Sequence, residues 1–225
     1  MHKFSLPIAL AVTFVLQHST FADFLIFSDA VAFHANADGA IHTEDFNLFV
    51  VDTEFVTTDL IFGLVTLSSN GGFNPSFDNP EALVDVGPVF GPSQPGIDGS
   101  PLLNSQGLDA GESITIGLEG PATAFAFDYE NYDVDFDTLD VLINGELAAT
   151  IPGDGVGFLG IVSDGAFESV TLLSNSTNDL SNGTFNGIDN LRFNTIPEPN
   201  STVLILCLLG VLSARRRRSA SLLIE

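Results

Sequence analysis

Short apolar runs separated by glycine, proline, asparagine and aspartate fill most of the chain after residue 40. Several runs alternate large apolar residues with small or polar ones, as in Ile114-Thr115-Ile116 and Phe125-Ala126-Phe127. This period of two is typical of half-buried strands. The predicted strands are residues 45–51, 60–67, 113–118, 122–129, 138–143, 147–151, 157–162, 169–173 and 187–193. Their spacing predicts an all-β fold, an antiparallel jelly-roll-like β-sandwich.

Two further local patterns concern turns and loops. Asn144-Gly145 lies between two predicted strands, and both residues tolerate positive φ, so the pair predicts a two-residue hairpin. Residues 70–107 are rich in glycine, proline, asparagine and serine. We expect this segment to be a long crossing loop or an irregular edge.

One short N-terminal segment favours a helix. Ser28 is a good N-cap, Asp29 suits the first turn, and Gly39 is a good stop. The apolar positions near helical spacing are Val31, Ala32 and Ala35.

The first 22 residues have the pattern of a secretory signal peptide. A short basic start precedes the apolar residues 4–16, and Thr20 and Ala22 are small residues at positions −3 and −1 of a cut before Asp23. Pro7 inside the apolar run argues against a buried N-terminal helix. We therefore expect export, with residues 23–195 forming one β-sandwich domain.

The C-terminal residues 196–225 combine a stiff segment, an apolar run and a basic block. As a helix, residues 201–214 would reach about 21 Å at about 1.5 Å per residue, against a bilayer core of about 30 Å. The run therefore predicts a marginal transmembrane anchor whose arginines stay cytoplasmic. The residues that define this tail are Pro197, Glu198, Pro199, Arg215, Arg216, Arg217 and Arg218.

This order of Pro-Glu-Pro, hydrophobic stretch and arginine cluster resembles the PEP-CTERM sorting signal of Gram-negative bacteria. The resemblance implies recognition of residues 197–199 by an exosortase, transient attachment to the inner membrane, and delivery to the cell surface or extracellular matrix. It also implies an environment of exopolysaccharide and biofilm.

The body is similar to the sandwich domain that often precedes such tails. The similarity depends on the order of several short pieces: residues 44–47, 124–128, 157–160, 169–172 and 187–193. The first piece has Asp45-Phe46-Asn47 where that domain usually has Asp-Phe-Glu.

Charge excludes whole classes of partner. Residues 23–199 carry 28 acidic side chains and a single basic one, Arg192. Phosphate contacts are made mainly by lysine and arginine, so we expect this region to bind neither nucleic acid nor an anionic membrane surface. The single cysteine, Cys207, cannot form an intramolecular disulfide, and no CxxC or Cys/His cluster indicates zinc.

The inventory of catalytic residue types is short. The exported region has His34 and His42, which we interpret as solvated surface groups, and it has no lysine or cysteine. Nucleophile-elbow, HExxH and Walker motifs are absent from the sequence. We expect a non-enzymatic protein. The alternative is a secreted carbohydrate-active hydrolase that uses a carboxylate pair.

Two sets of acidic residues are candidates for calcium. Asp133, Asp135 and Asp137 would share one face of an extended chain, and calcium prefers carboxylate and carbonyl oxygen. An acidic, solvated face is the alternative. The resemblance implies a second site that pairs Asp45 or Asn47 with Asp189, where capping of strand ends is the alternative.

Sugar binding commonly uses an aromatic platform with amide and carboxylate groups. Tryptophan is absent, and Tyr129 and Tyr132 lie in the acidic run, so they are the stacking candidates. The alternative is a ring packed in the sandwich with a free hydroxyl at the rim. Together these patterns predict an exported structural or adhesive protein that binds exopolysaccharide and calcium.

Overall fold

The computed structural model describes residues 22–71, 73–74, 79–80, 83–86, 97, 100–108, 110–132, 138–175 and 184–196. These residues form one helix and 14 strands. In chain order they are β1 (Phe24–Phe27), α1 (Ala30–Asn36), β2 (Ile41–Glu44), β3 (Thr53–Glu54), β4 (Leu60–Phe62), β5 (Val65–Ser69), β6 (Phe73–Asn74), β7 (Asn79–Pro80), β8 (Leu83–Asp85), β9 (Leu102–Leu108), β10 (Ser113–Tyr132), β11 (Leu139–Ile143), β12 (Glu146–Ile151), β13 (Asp154–Ser174) and β14 (Thr184–Asn194).

Twelve of the described strands form two layers, and β6 and β7 pair separately with each other. All described pairings are antiparallel. The first layer runs β4, β5, the first half of β10, the second half of β13, β11 and β12. The second layer runs β1, the first half of β13, the second half of β10 and β14. β2 and β9 flank different parts of β14, and β8 and β3 follow β9. The antiparallel β-sandwich with one short N-terminal helix is confirmed.

β10 and β13 belong to both layers because their pairing is interrupted by register shifts within residues 117–124 of β10. Ile116 faces the main core before the shifts and Phe125 faces it after them, so the inward positions change from even to odd numbers. Such irregularities bend a strand from one layer into the next. The predicted strands 113–118 and 122–129 are therefore parts of one strand.

The main core lies between the layers and combines aliphatic side chains with several phenylalanine rings. Fully burying one such side chain stabilises the fold by about 1.5–3 kcal/mol. This core joins the two layers in the described part of the chain without disulfides. The fully buried phenylalanines in it are Phe46, Phe55, Phe125, Phe127, Phe167 and Phe193.

The predicted hairpin is confirmed. Asn144 and Gly145 join β11 to β12 with φ of 52° and 80°. Two successive positive φ angles produce a turn whose twist matches that of the paired strands.

The predicted helix is present, but its cap and its buried face differ from the prediction. Asp29 is the N-cap, and its Oδ1 accepts a hydrogen bond from the Ala32 amide at 2.8 Å. Phe33 is fully buried, whereas Val31 is 77% exposed. The helix therefore packs through one large ring and not through the small residues at 32 and 35.

The predicted strand at residues 45–51 is wrong. Asp45 Oδ1 accepts from the Asn47 amide at 3.2 Å, which makes a local turn, and Leu48 and Val50 are highly exposed. The strands β1, β2, β3, β6, β7, β8 and β9 were not predicted. The last four lie wholly or mostly in residues 70–107, the segment expected to be a long crossing loop or an irregular edge.

The signal-peptide residues 1–21 and the sorting tail 197–225 lie outside the described residues. Among the residues that are described, no helix is both long and apolar enough to cross a membrane.

Candidate ligand-binding face

The second layer has an outer face, opposite the main core, on which polar and aromatic side chains meet. In the second half of β10, Phe127 and Tyr129 pack on the main core, so the intervening Asp128 and Glu130 lie on the outer face. In the register, Asp128 is opposite Phe158 of β13 and opposite Asp189 of β14. We call Asp128, Glu130, Phe158, Asp189 and Arg192 the outer-face cluster.

Helix α1 covers one end of this outer face. Phe33 packs with Ala124 and Ala126 of β10, which form a second, smaller buried cluster. A Cβ at Gly160 would lie 2.7 Å from the Phe33 ring, so glycine is needed for the close approach. The Phe33 ring also contacts Phe158 edge-on, with centroids 5.8 Å apart. The covered part of the face therefore ends at Phe158.

Arg192 links the aromatic and acidic parts of the cluster. Its Nη2 lies 2.8 Å from Asp128 Oδ2, and the two side chains are only 17% and 20% exposed. Its guanidinium carbon lies 5.4 Å from the centroid of Phe158. Nη1 is buried and has no hydrogen-bond partner among the residues that the structure describes. The cluster thus contains a buried charged donor that no described residue pairs with.

The two remaining carboxylates differ in their surroundings. Asp189 accepts from Ser100 Oγ at 2.8 Å and from the Asn190 amide at 2.6 Å, beside an irregularity of β14 where Asn190 has φ of 53°. Glu130 is 5% exposed and Asp189 is 1% exposed. Both carboxylates are therefore largely withdrawn from solvent.

Tyr129 lies on the core side of the sheet. It packs against the main core, and a Cβ at Gly157 would lie 2.7 Å from its hydroxyl oxygen, so the ring lies across that glycine. Tyr132 ends β10, and its side chain is outside the description. The stacking role predicted for these two tyrosines has no support in the outer-face cluster, whose aromatic ring is Phe158.

The predicted calcium ligands are only partly visible. Asp133, Asp135 and Asp137 lie outside the described residues. Asp45 makes the local turn at Asn47, and Asp189 makes the bonds given above. Within the described ranges, no group of three or more His, Cys, Asp or Glu side chains is arranged to hold a metal ion.

The two histidines have different environments. His34 is exposed on α1, as predicted. His42 is half-buried in β2: its ring lies 6.0 Å from that of Phe193 between centroids, and Nε2 lies 3.3 Å from Thr195 Oγ1. No described carboxylate bonds to either ring, so neither forms the acid–histidine pair of a hydrolytic triad in the described part of the chain.

Arg192, Phe158 and Glu130 were missed as candidates from the sequence. The sequence feature that could have identified Arg192 is that it is the single basic residue among 28 acidic ones in residues 23–199. A lone cation in such a region must sit beside a carboxylate, and the alternating residues 124–130 place two acids on one face.

No family model and no curated protein matches this chain. Among solved structures, a variant of the family 29 carbohydrate-binding module CBM29-2 is similar with a TM-score of 0.32 and 14% identity, over 60% of this chain and 99% of that chain. The catalytic domain of a GH87 α-1,3-glucanase in complex with nigerose is similar with a TM-score of 0.31 and 14% identity, over 60% of this chain and 27% of that chain. Because these scores are below 0.5, the ligands and activities of those proteins do not transfer to this chain.

Proposed function

We propose that this protein is an exported, non-catalytic β-sandwich that binds polysaccharide through the outer-face cluster. The observation that carries the proposal is the buried Arg192 Nη1, which points a charged donor without a described partner beside Phe158 and the Asp128 carboxylate. Burying an unused donor costs free energy, so such a group marks a place where a ligand oxygen would be stabilised.

The chemistry of the cluster matches that of a sugar ring. A pyranose has apolar C–H faces and hydroxyl groups that both donate and accept hydrogen bonds. Phe158 and the 64%-exposed Val156 give an apolar surface on β13. Arg192 offers a donor, and Glu130 offers an acceptor two residues along β10 from Asp128.

A hydrolase remains the second candidate because of one observation. Asp128 and Asp189 are register partners. Directly opposite residues have Cβ atoms about 5 Å apart, and retaining glycosidases hold their two carboxyl groups at about 5 Å. In this protein, however, Asp128 is bound to Arg192, and Asp189 is bound to Ser100 and Asn190. We therefore assign both carboxylates to charge pairing and ligand contact.

Export and sorting form the second part of the proposal. We propose that residues 1–22 direct export and that Pro197-Glu198-Pro199 is the exosortase recognition site. The tail, with its arginines, would hold the protein transiently in the inner membrane before delivery to the surface or matrix. The support is the order of the sequence features at the two ends. Exopolysaccharide in that location would then be the ligand, with calcium as an accompanying cation.

The binding test compares the wild type with Arg192→Lys in affinity electrophoresis through exopolysaccharide from an exporting host. Lysine keeps the charge beside Asp128 but lacks the planar fork, so the donor at Nη1 is lost. We expect about 10- to 100-fold weaker binding, because a hydrogen bond to a charged group is worth about 1.5–3 kcal/mol.

Glu168→Gln, an exposed charge change elsewhere on β13, is the matched control and should bind as the wild type does. Failure of the wild type to bind would overturn the proposal. Release of reducing ends from the polysaccharide, abolished by Asp128→Asn, would favour the hydrolase instead.

A further inference from the structure

Two carboxylates hold the chain at the point where the predicted signal peptide would be removed. The Ala22 amide donates to Glu146 Oε2 at 3.3 Å, and the Asp23 amide donates to Asp164 Oδ1 at 3.2 Å. The partners are separated by 124 and 141 residues in the sequence, so the fold brings them together. A second hydrogen bond joins the same two residues, because the Asp164 amide donates to the Asp23 carbonyl at 3.3 Å.

The two carboxylates line one small cavity. It has a volume of about 250 Å³ and lies between the β11–β12 turn and a bend of β13. Its lining residues are Ala22, Ile143, Asn144, Glu146, Asp164 and Gly165. The predicted cleavage point thus lies at the mouth of an acidic cavity in a region with a single basic side chain.

Cleavage before Asp23 would give a positive charge to the Asp23 nitrogen, which already contacts the Asp164 carboxylate. A leader peptidase adds water across the Ala22–Asp23 bond, so the Ala22 carbonyl carbon takes hydroxide and becomes a carboxylate. The Asp23 nitrogen takes the proton and leaves with the mature chain. An α-amino group has a pKa of about 8, so at neutral pH it takes a further proton and becomes an ammonium.

We propose that this new ammonium pairs with the Asp164 carboxylate, so that the mature amino terminus is an ion pair built into the sandwich. A nitrogen–oxygen distance of 3.2 Å already meets the requirement for an ion pair. Both residues are exposed, so solvent screens part of the gain and the expected stabilisation is small. Removal of Ala22 also takes the amide donor from Glu146, which leaves a second carboxylate on the same cavity. The inference rests on the export step of the proposed function and is independent of sugar binding.

The ion pair between the Asp23 amine and Asp164 would stabilise the pairing of β1 with β13 at the edge of the second layer. β1 begins one residue later, with Phe24 in register with Ser163 of β13. The precursor has only a neutral amide at residue 23, so processing would add a cation to a domain that otherwise has Arg192 alone. The mature protein should therefore be more stable than a chain in which this amine is neutralised.

The experiment uses the full gene in an exporting Gram-negative host. The exported protein is purified, its first residue is determined by intact mass and N-terminal sequencing, and Asp23 is expected. Residues 23–225 contain no lysine, so acetic anhydride at neutral pH acetylates the α-amine selectively. Acetylation should lower Tm by roughly 2–4 °C in the wild type and by less than about 1 °C in Asp164→Asn.

Glu168→Gln is the matched control, and acetylation should affect it as it affects the wild type. Because acetylation acts on folded wild-type protein, the first comparison does not depend on any variant folding. A first residue other than Asp23 would overturn the inference together with the cleavage site. Asp23 at the terminus with an equal effect of acetylation in the wild type and Asp164→Asn would overturn the pairing alone and leave export standing.

Discussion

The missing side chain of Gly160 allows α1 to pack closely on the sheet. A Cβ there would lie 2.7 Å from Phe33 and 2.9 Å from Phe158, so two packed rings would have to move. We expect Gly160→Ala to lower Tm by roughly 3–10 °C, since overpacking costs about 1–3 kcal/mol. Gly120→Ala, where nothing lies within 4 Å, is the control and should change Tm little. Equal melting of the two variants by circular dichroism would show that Phe33 does not rest on Gly160.

The same residue marks a limit of sequence reasoning. The sequence contains Gly160, Ala124 and Ala126 as ordinary small residues, and only the pairing of β10 with β13 brings them beneath Phe33. Arg192 could be picked out as the lone base, but its partner Asp128 is 64 residues away. Local patterns predict which residues face inward, whereas the partner across a sheet depends on register and bulges.

At the scale of elements, α1 is a short helix whose start depends on a single cap. Asp29 Oδ1 receives the Ala32 amide at 2.8 Å. Loss of an N-cap costs about 0.5–2 kcal/mol. We expect Asp29→Ala to lower Tm by roughly 2–6 °C. Asparagine is an equally good cap, so Asp29→Asn should keep most of the wild-type Tm. If both variants melt alike, the effect comes from charge and the capping account is wrong.

The strands were predictable where the alternation was uninterrupted and where the turn chemistry was explicit. The residues 139–151 around Asn144-Gly145 are the clearest case. The prediction failed where tertiary contacts override local pattern. Residues 45–51 look like a strand because they are apolar, but the Asp45 turn and the burial of Phe46 fix them as an irregular segment. β1 is short, and its pairing with β13 has no local signal.

At the scale of the whole molecule, the proposed sorting role of the C-terminal tail can be tested directly. If Pro197-Glu198-Pro199 is the sorting site, replacing all three residues with alanine should leave the protein in the inner membrane, because the apolar run and the arginines remain attached. Cell fractionation followed by immunoblotting measures this. Alanine substitution of Asn200, Ser201 and Thr202 is the neighbouring control and should not change release. Unchanged release of the first variant would contradict the sorting role.

The large negative charge of the molecule favours the binding of a divalent cation such as calcium. With 28 acids and one base in residues 23–199, the acids repel one another unless cations or distance relieve the repulsion. A cation held by Asp133, Asp135 and Asp137 would act differently from diffuse screening, since a bound ion stabilises by about 2.7 kcal/mol at 100 times its Kd. We expect calcium to raise Tm by roughly 5–10 °C and EGTA to reverse the rise. Sodium chloride of equal ionic strength reproduces the screening alone and should give a smaller shift. Changing the three aspartates to asparagine should remove the difference between the two salts. If the triple variant responds to calcium as the wild type does, the acidic run is a solvated face and not a binding site.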